Sequence, residues 1–448
     1  MNVRQQPAGL ENYWLPFTPN RYFREHPKIL TSAKGAYYTT DDGRQLFDCL
    51  SGLWCSPLGH AHPRIVEALT KQAQTLDYSP AFQFCNADTL KLAGRIAAMA
   101  PPGLSRVFFT NSGSEGVDTA MKIAYGYQSL RGEAKRTRFI GRERGYHGVG
   151  FGGMSVGGMV GNRKMFGPIM LNGIDHLPHT YNRAETAFTK GQPAWGAHLA
   201  DELERIVALH DASTIAAVIV EPLAGSVGVL VPPINYLQKL RDICTKHGIL
   251  LIFDEVITGF GRMGENFGAQ RFGVTPDIIV FAKGVTNGII PMGGVIVRED
   301  IYETFMGVVA PPHAIELFHG YTYSGHPMAA AVGNAAIDLL IDDGMIARSR
   351  ELEPTLEGAM HALRGEAGVV DIRSMGLAAA VDIDPIPGKP GLRAMRVFER
   401  ALEEGLLLRL AGDSIAVGPP FISTVDELTA MGEGLRRAIR HVIKDSSV

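Results

Sequence analysis

From His60 onward, short apolar runs alternate with segments whose apolar residues recur at helical spacing. The strand candidates are Arg106–Thr110, Ile215–Val220, Ile249–Phe253, Asp277–Phe281 and Gly294–Val297. Several are apolar at every position, as strands covered on both faces must be. Between them, Glu115–Leu130 and Tyr236–His247 read as helices; in the first, Val117, Ala120, Met121 and Ala124 share one face. The alternation predicts an α/β domain with a largely parallel sheet. Ahead of it, KGAYYTTDDGRQLFDCLSG alternates around a DDG turn and predicts a hairpin over Ala36–Cys49. After about residue 325 the pattern changes to an alanine-rich helix, Met328–Asp342, and a helix at Ser349–Arg364. Strands follow at Val369–Arg373, Leu377–Ile383 and Ser414–Val417, with a last helix from Asp426. The expected division is an arm and hairpin over 1–60 that pack with the small domain, a large domain over 61–325, and a smaller α+β domain over 326–448.

Composition narrows the classes. A net charge of −3 gives no general attraction to nucleic acid or anionic membrane, so an anionic small ligand has to be held by a local site. No apolar run approaches the ~18 residues needed to cross a bilayer. The opening MNVRQQPAGLENYW lacks the apolar centre of a secretory signal. The four cysteines form no CxxC pair. A reducing cytoplasm is the expected location.

In open α/β sheets, ligands bind beyond the carboxyl ends of the strands. Four places there carry chemistry. In Phe108–Gly116, FFTNSGSEG, a strand gives way to a small polar turn and a helix start near Glu115. Free N–H groups and the Ser112 and Ser114 hydroxyls suit an anion, and Gly113 lets it come close. An ordinary N-cap turn has the same composition. In Ile249–Gly264, Asp254 ends a fully apolar strand and needs a cationic partner, either a protonated ring nitrogen or an arginine. In Asp277–Gly288, Lys283 follows another apolar strand, where partial burial lowers its pKa towards a nucleophilic amine; a lysine there can also pair with an acid. In Arg144–Ser155, Tyr146 and His147 stand beside a glycine-rich stretch, Tyr146 as a plate for a flat cofactor or as core. Together, a phosphate cradle, an aromatic plate, an acid and a lysine are what pyridoxal phosphate requires. The lysine forms a Schiff base, and the acid keeps the ring nitrogen protonated.

With these residues in place, the chain resembles the class III (omega) aminotransferases of pyridoxal-phosphate fold type I over nearly its whole length. NSGSE at Asn111–Glu115, GYHG at Gly145–Gly148, VEP at Val220–Pro222 and FDEVITGFGR at Phe253–Arg262 carry the likeness, with AKG at Ala282–Gly284 and HGYTYSGHP at His319–Pro327. The resemblance implies that Lys283 is the Schiff-base lysine and Asp254 the partner of the ring nitrogen. It further implies that Gly113 and Ser114 hold the phosphate, that Tyr146 and Val256 pack on the two faces of the ring, and that His147 and Glu221 complete the cofactor site. Thr322 would reach the phosphate of a neighbouring subunit, making a homodimer, or a tetramer of such dimers, part of the site.

Within the family the chain is most similar to the omega-amino acid–pyruvate (β-alanine–pyruvate) transaminases. LSGLWC at Leu50–Cys55, LDYSPAFQF at Leu76–Phe84, His210–Pro233, GVTPDI at Gly273–Ile278 and LLLRLAGDSIAVGPP at Leu406–Pro420 carry this finer likeness. It assigns Arg409 to the substrate carboxylate, with a structural ion pair as the alternative role. It assigns Phe17, Trp54 and Phe82 to a small apolar pocket, Phe82 from the partner chain. Members that use glutamate often carry an acid five residues after the VEP glutamate; Ser226 stands there, which favours pyruvate.

Two stretches, Gly148–Gly153 and Gly259–Gly264, fit the GxGxxG of a dinucleotide-binding dehydrogenase. DEVIT separates the second from its strand, and no clear strand precedes the first. His60 and His62, in a GHAHP turn, read as structural, and no HExxH occurs. Decarboxylases and aminomutases share the fold, and a taurine, diamine or aryl-alkyl amine donor could replace β-alanine.

Overall fold

The computed structural model describes residues 8–445. The hairpin forms around its DDG turn: β1 (Leu30–Lys34), β2 (Tyr37–Thr40) and β3 (Gln45–Asp48) make an antiparallel ribbon. The apolar runs build the central sheet from β4 (Leu104–Thr110), β5 (Arg138–Arg142), β6 (Ile174–Leu177), β7 (Ile215–Val220), β8 (Leu250–Asp254), β9 (Ile278–Ala282) and β10 (Gly293–Arg298). Their order is β4-β10-β9-β8-β7-β5-β6. β10 runs antiparallel to both neighbours, and the remaining pairs are parallel. β7, β8 and β9 are buried at every position, which is why their sequences carry no polar face. Helix Gly113–Leu130 lays Val117, Ala120 and Ala124 on the sheet.

The C-terminal part supplies β11 (Val369–Met375), β12 (Ala378–Ile383), β13 (Leu406–Leu407), β14 (Arg409–Ala411) and β15 (Ser414–Val417). A four-stranded antiparallel sheet runs β11-β12-β15-β14, while β13 crosses over to pair in parallel with β3. Through that pairing the N-terminal ribbon joins the C-terminal segment.

Several elements depart from the sequence expectation. β5 and β6 were not foreseen because neither is uniformly apolar; Arg138 and Asp175 instead pair across the two strands at 2.6 Å. A strand therefore does precede the Gly148–Gly153 stretch. Asp277 lies before β9 rather than in it. Its carboxylate accepts the Leu251 N–H at 2.6 Å and pairs with Arg241 at 2.7 Å, making it a charged corner. The alanine-rich helix runs Pro327–Ile337 and closes in a π turn over Asp338–Asp342, and the following helix is Met345–His361. Helix Leu392–Glu403 and the short β13 and β14 were also not anticipated. No helix among the described residues is long and apolar enough to cross a membrane.

β5 delivers the Gly145–Gly148 segment, and its seating depends on Gly141. A Cβ there would stand 1.8 Å from the backbone oxygen of Val156, which cannot rotate aside. Gly141→Ala is expected to cost about 1–3 kcal/mol or more and to lower the thermal unfolding midpoint by several degrees. A melting curve that overlays the wild type would refute this packing.

Candidate active site

A cavity of about 350 Å³ opens at the carboxyl edge of the central sheet, walled by residues that follow five strands. β4 leads into the turn before helix Gly113–Leu130. There Ser112 Oγ accepts the Glu115 N–H at 3.2 Å, and Glu115 Oε2 accepts the Asn111 N–H at 2.7 Å. This reciprocal cap leaves the first-turn N–H groups of Gly113 and Ser114 without helical partners. A Cβ on Gly113 would come within 2.7 Å of Val256, so only glycine keeps the cradle open. Both serines line the cavity. Ser112 caps the helix as well, and Ser114 Oγ accepts the Val149 N–H at 3.1 Å.

β5 ends before Gly145–Gly148, and β7 ends before Glu221. The two meet where the Tyr146 N–H donates to Glu221 Oε1 at 2.9 Å. Burial pushes the Glu221 carboxyl up to about 7, with Asp254 adding to the rise and His147 opposing it. β8 ends on Asp254, which is buried; His147 Nδ1 lies 2.8 Å from its Oδ2, and the Val256 N–H donates to Oδ1 at 3.2 Å. His147 is 2% exposed, and its Nε2 has no partner among the described residues.

β9 ends at Ala282, and Lys283 follows with φ +51°, a left-handed conformation that costs a non-glycine residue about 1–3 kcal/mol. Burial pushes the Lys283 pKa down, while Cys55, Asp254 and Glu221 push it up and Arg409 pushes it down. Because Gly293, the first residue of β10, pairs with both Ala282 and Thr110, the 283–292 connection folds back over the strand ends. Thr286, Gly288 and Ile290–Met292 consequently line the cavity, as do Cys55 and Ile257. Sequence reasoning did not single these out. The available signal was the brevity of the link between two adjacent strands.

Gly113, Ser114, Tyr146, His147, Glu221, Asp254, Val256 and Lys283 therefore line one cavity. Arg409 does not line that cavity. It borders a neighbouring one of about 760 Å³, and Ser226 belongs to both. Among the described residues Arg409 has no carboxylate partner. Trp54 is buried, its ring 5.6 Å from the Arg262 guanidinium, and lies outside the cavity lining. Phe17 and Phe82 are exposed at 67% and 58%, and Thr322 is exposed as well; none of the three walls the cavity of this single chain.

The glycine-rich stretch after β5 serves packing. A Cβ on Gly148 would meet Ser114 Oγ at 2.3 Å, and one on Gly150 would meet Asp118 Oδ2 at 2.3 Å. The Gly153 N–H donates to Asp118 Oδ1 at 2.9 Å. These glycines hold a loop against a helix, so the dinucleotide fingerprint has no phosphate-binding role here. His60 Nε2 binds Asp48 at 2.7 Å, as a turn residue does. A helix start free for a phosphate, a backed carboxylate and a buried amine around one slot fit pyridoxal phosphate in charge and shape.

Residues 21–439 match the family described as Aminotransferase class-III. The chain is 55% identical to an omega-aminotransferase of Caulobacter vibrioides, over 97% of this chain and 98% of that one. It is 49% identical to the β-alanine–pyruvate aminotransferase of Pseudomonas aeruginosa, over 97% and 96%. Its structure superposes with TM-score 0.90 on the omega transaminase of Pseudomonas jessenii in complex with PMP, at 31% identity and 97% coverage of each chain.

The raised Glu221 carboxyl has a measurable consequence. Its folded value of about 7 lies above the ordinary 4.5, so the unfolded chain gives up this proton first as the pH rises. Stability is then lost between about pH 4.5 and 7 and is level above. Glu221→Gln keeps an acceptor for the Tyr146 N–H and removes the titration. In cofactor-free protein the variant is expected to gain on wild type across that window, by up to about 3 kcal/mol. A difference in denaturation midpoint that stays constant with pH would contradict this.

Proposed function

This chain belongs to the class III aminotransferases and depends on pyridoxal phosphate, and from that premise we propose that it moves the amino group of an omega-amino acid, β-alanine foremost, to pyruvate. The products are an aldehyde or ketone and L-alanine. One observation carries the assignment of roles: a buried-side amine, Lys283, and a backed carboxylate, Asp254, leave adjacent strands into one cavity beside a free helix start.

When bound, pyridoxal phosphate supplies an electrophilic carbon for amines and a ring that takes up the electrons left as a substrate proton departs. The Gly113 and Ser114 N–H groups and the Ser114 hydroxyl hold the phosphate. Asp254, oriented by His147, would hold the ring N–H, and Glu221 orients Tyr146 by accepting its backbone N–H at 2.9 Å. Tyr146 and Val256, which line the same cavity, would pack on the two faces of the ring and exclude water. Lys283 Nζ would take the proton from the donor carbon and deliver it to the electrophilic carbon that the cofactor supplies, a task suited to an amine whose pKa burial lowers.

Arg409 receives the carboxylate of β-alanine in one half-reaction and of pyruvate in the other, in the bidentate geometry of a guanidinium. Ser226 on the shared wall leaves it no acid to pair with, which supports pyruvate over a dicarboxylate as acceptor. The name of the Pseudomonas aeruginosa relative supports the same pair of substrates. Thr322 and Phe82, exposed in the single chain, would act from a second subunit, and Phe17 and Trp54, outside the cavity lining of the single chain, would border the small pocket in that assembly.

β-Alanine is expected to bleach the yellow holoenzyme, and pyruvate to restore the colour with one alanine formed per site. A yellow enzyme indifferent to β-alanine but bleached by taurine, a diamine or an aryl-alkyl amine would replace the donor. Lys283→Ala is expected to abolish turnover; near-wild-type steady-state activity would overturn its role. Arg409→Ala is expected to lower kcat/KM for β-alanine and pyruvate about 10- to 100-fold while sparing a carboxylate-free amine in the first half-reaction. Equal losses for both kinds of donor would remove Arg409 from carboxylate binding.

A further inference from the structure

The second cavity, about 760 Å³, is far larger than the Arg409 guanidinium needs and adjoins the active-site cavity, with Ser226 lining both. Two more arginines face it. Arg144 follows β5 in a left-handed conformation, φ +58°, and lies over the Tyr181 ring at 5.6 Å. Arg183 opens the short helix Arg183–Thr186. Both are exposed, and among the described residues neither has a carboxylate partner.

The acids on the same wall are already engaged. Asp382 is bound by Arg373 at 2.6 Å and by Tyr181 Oη at 2.9 Å, and it also accepts from Ser414. Asp413 accepts the Gly391 N–H at 2.6 Å. The cavity thus carries three arginines that have no carboxylate partner among the described residues, against one acid, Asp413, that meets only a backbone N–H, in a protein whose net charge is −3. A concave wall with an excess of one sign concentrates field and raises the local concentration of oppositely charged ligands.

Resting on the assignment of Arg409 above, we infer that this cavity is an electropositive vestibule in which Arg144 and Arg183 collect carboxylate substrates, amino acid and oxo acid alike, and pass them to Arg409. Arg144 and Arg183 act on encounter, not on the chemical steps. They require positive charge there and not guanidinium geometry.

The test uses holoenzyme half-reactions followed by colour. In the Arg144→Gln/Arg183→Gln double variant, kcat/KM for β-alanine and pyruvate is expected to fall about tenfold at low ionic strength, with the limiting rate unchanged. The fall of the wild-type value with added salt is expected to flatten in the variant, and benzylamine, which has no carboxylate, is expected to react as in wild type. The Arg144→Lys/Arg183→Lys variant should regain the carboxylate rates. Equal losses for benzylamine, no rescue by lysine, or a carboxylate rate untouched by the glutamine pair would each overturn the inference. Failure of the underlying reading looks different: wild type itself would then show no advantage of carboxylate substrates and no loss on Arg409→Ala.

Discussion

A carboxylate at the end of a strand buried on both faces has to be held by other polar groups, and the arrangement around Asp254 follows from that need. Its oxygens are met by His147 Nδ1 and the Val256 N–H, so the imidazole must be delivered to the end of β8 from β5, two strands away. Delivering it brings Tyr146 alongside and places the Tyr146 N–H on Glu221, at the end of the strand between them. One electrostatic demand thereby gathers three strand ends. Lys283 stands on the next strand, close enough for Asp254 and Glu221 to oppose the effect of burial on its amine.

The convergence is possible because backbone approaches backbone closely at a few points. Gly113 yields space to Val256, Gly148 to Ser114, and Gly293 to the Ser112 carbonyl, where a Cβ would lie 2.7 Å from the oxygen. Each contact sits where a loop from one strand crosses the end of another. Side chains at these points would push apart the walls of a cavity of about 350 Å³.

The arginines divide by the same logic of compensation. Arg262 is buried and donates to the Leu377 and Pro419 carbonyls and to Ser51 Oγ, with Phe421 beneath it; burial lowers its pKa to about 9. Arg373 is buried between Asp371 and Asp382. These two tie chain segments together. Arg144, Arg183 and Arg409, by contrast, face water across a concave wall and keep their donors for a ligand.

The sequence by itself determined the parts whose cause is local. Apolar runs ending in a polar residue marked Asp254 and Lys283, and small polar residues before a helical pattern marked the Gly113–Ser114 cradle. The family motifs added Glu221, Val256 and Arg409, which no local pattern singles out. β5 and β6 stayed hidden because their charges are neutralised between strands, across a gap of more than thirty residues that periodicity does not span. Only tertiary structure decided that the 283–292 link forms a wall and that Arg144 and Arg183 share a cavity with Arg409. Burial and charge pairing depend on which distant segments meet, and a linear pattern records only what each segment needs, not which partner supplies it.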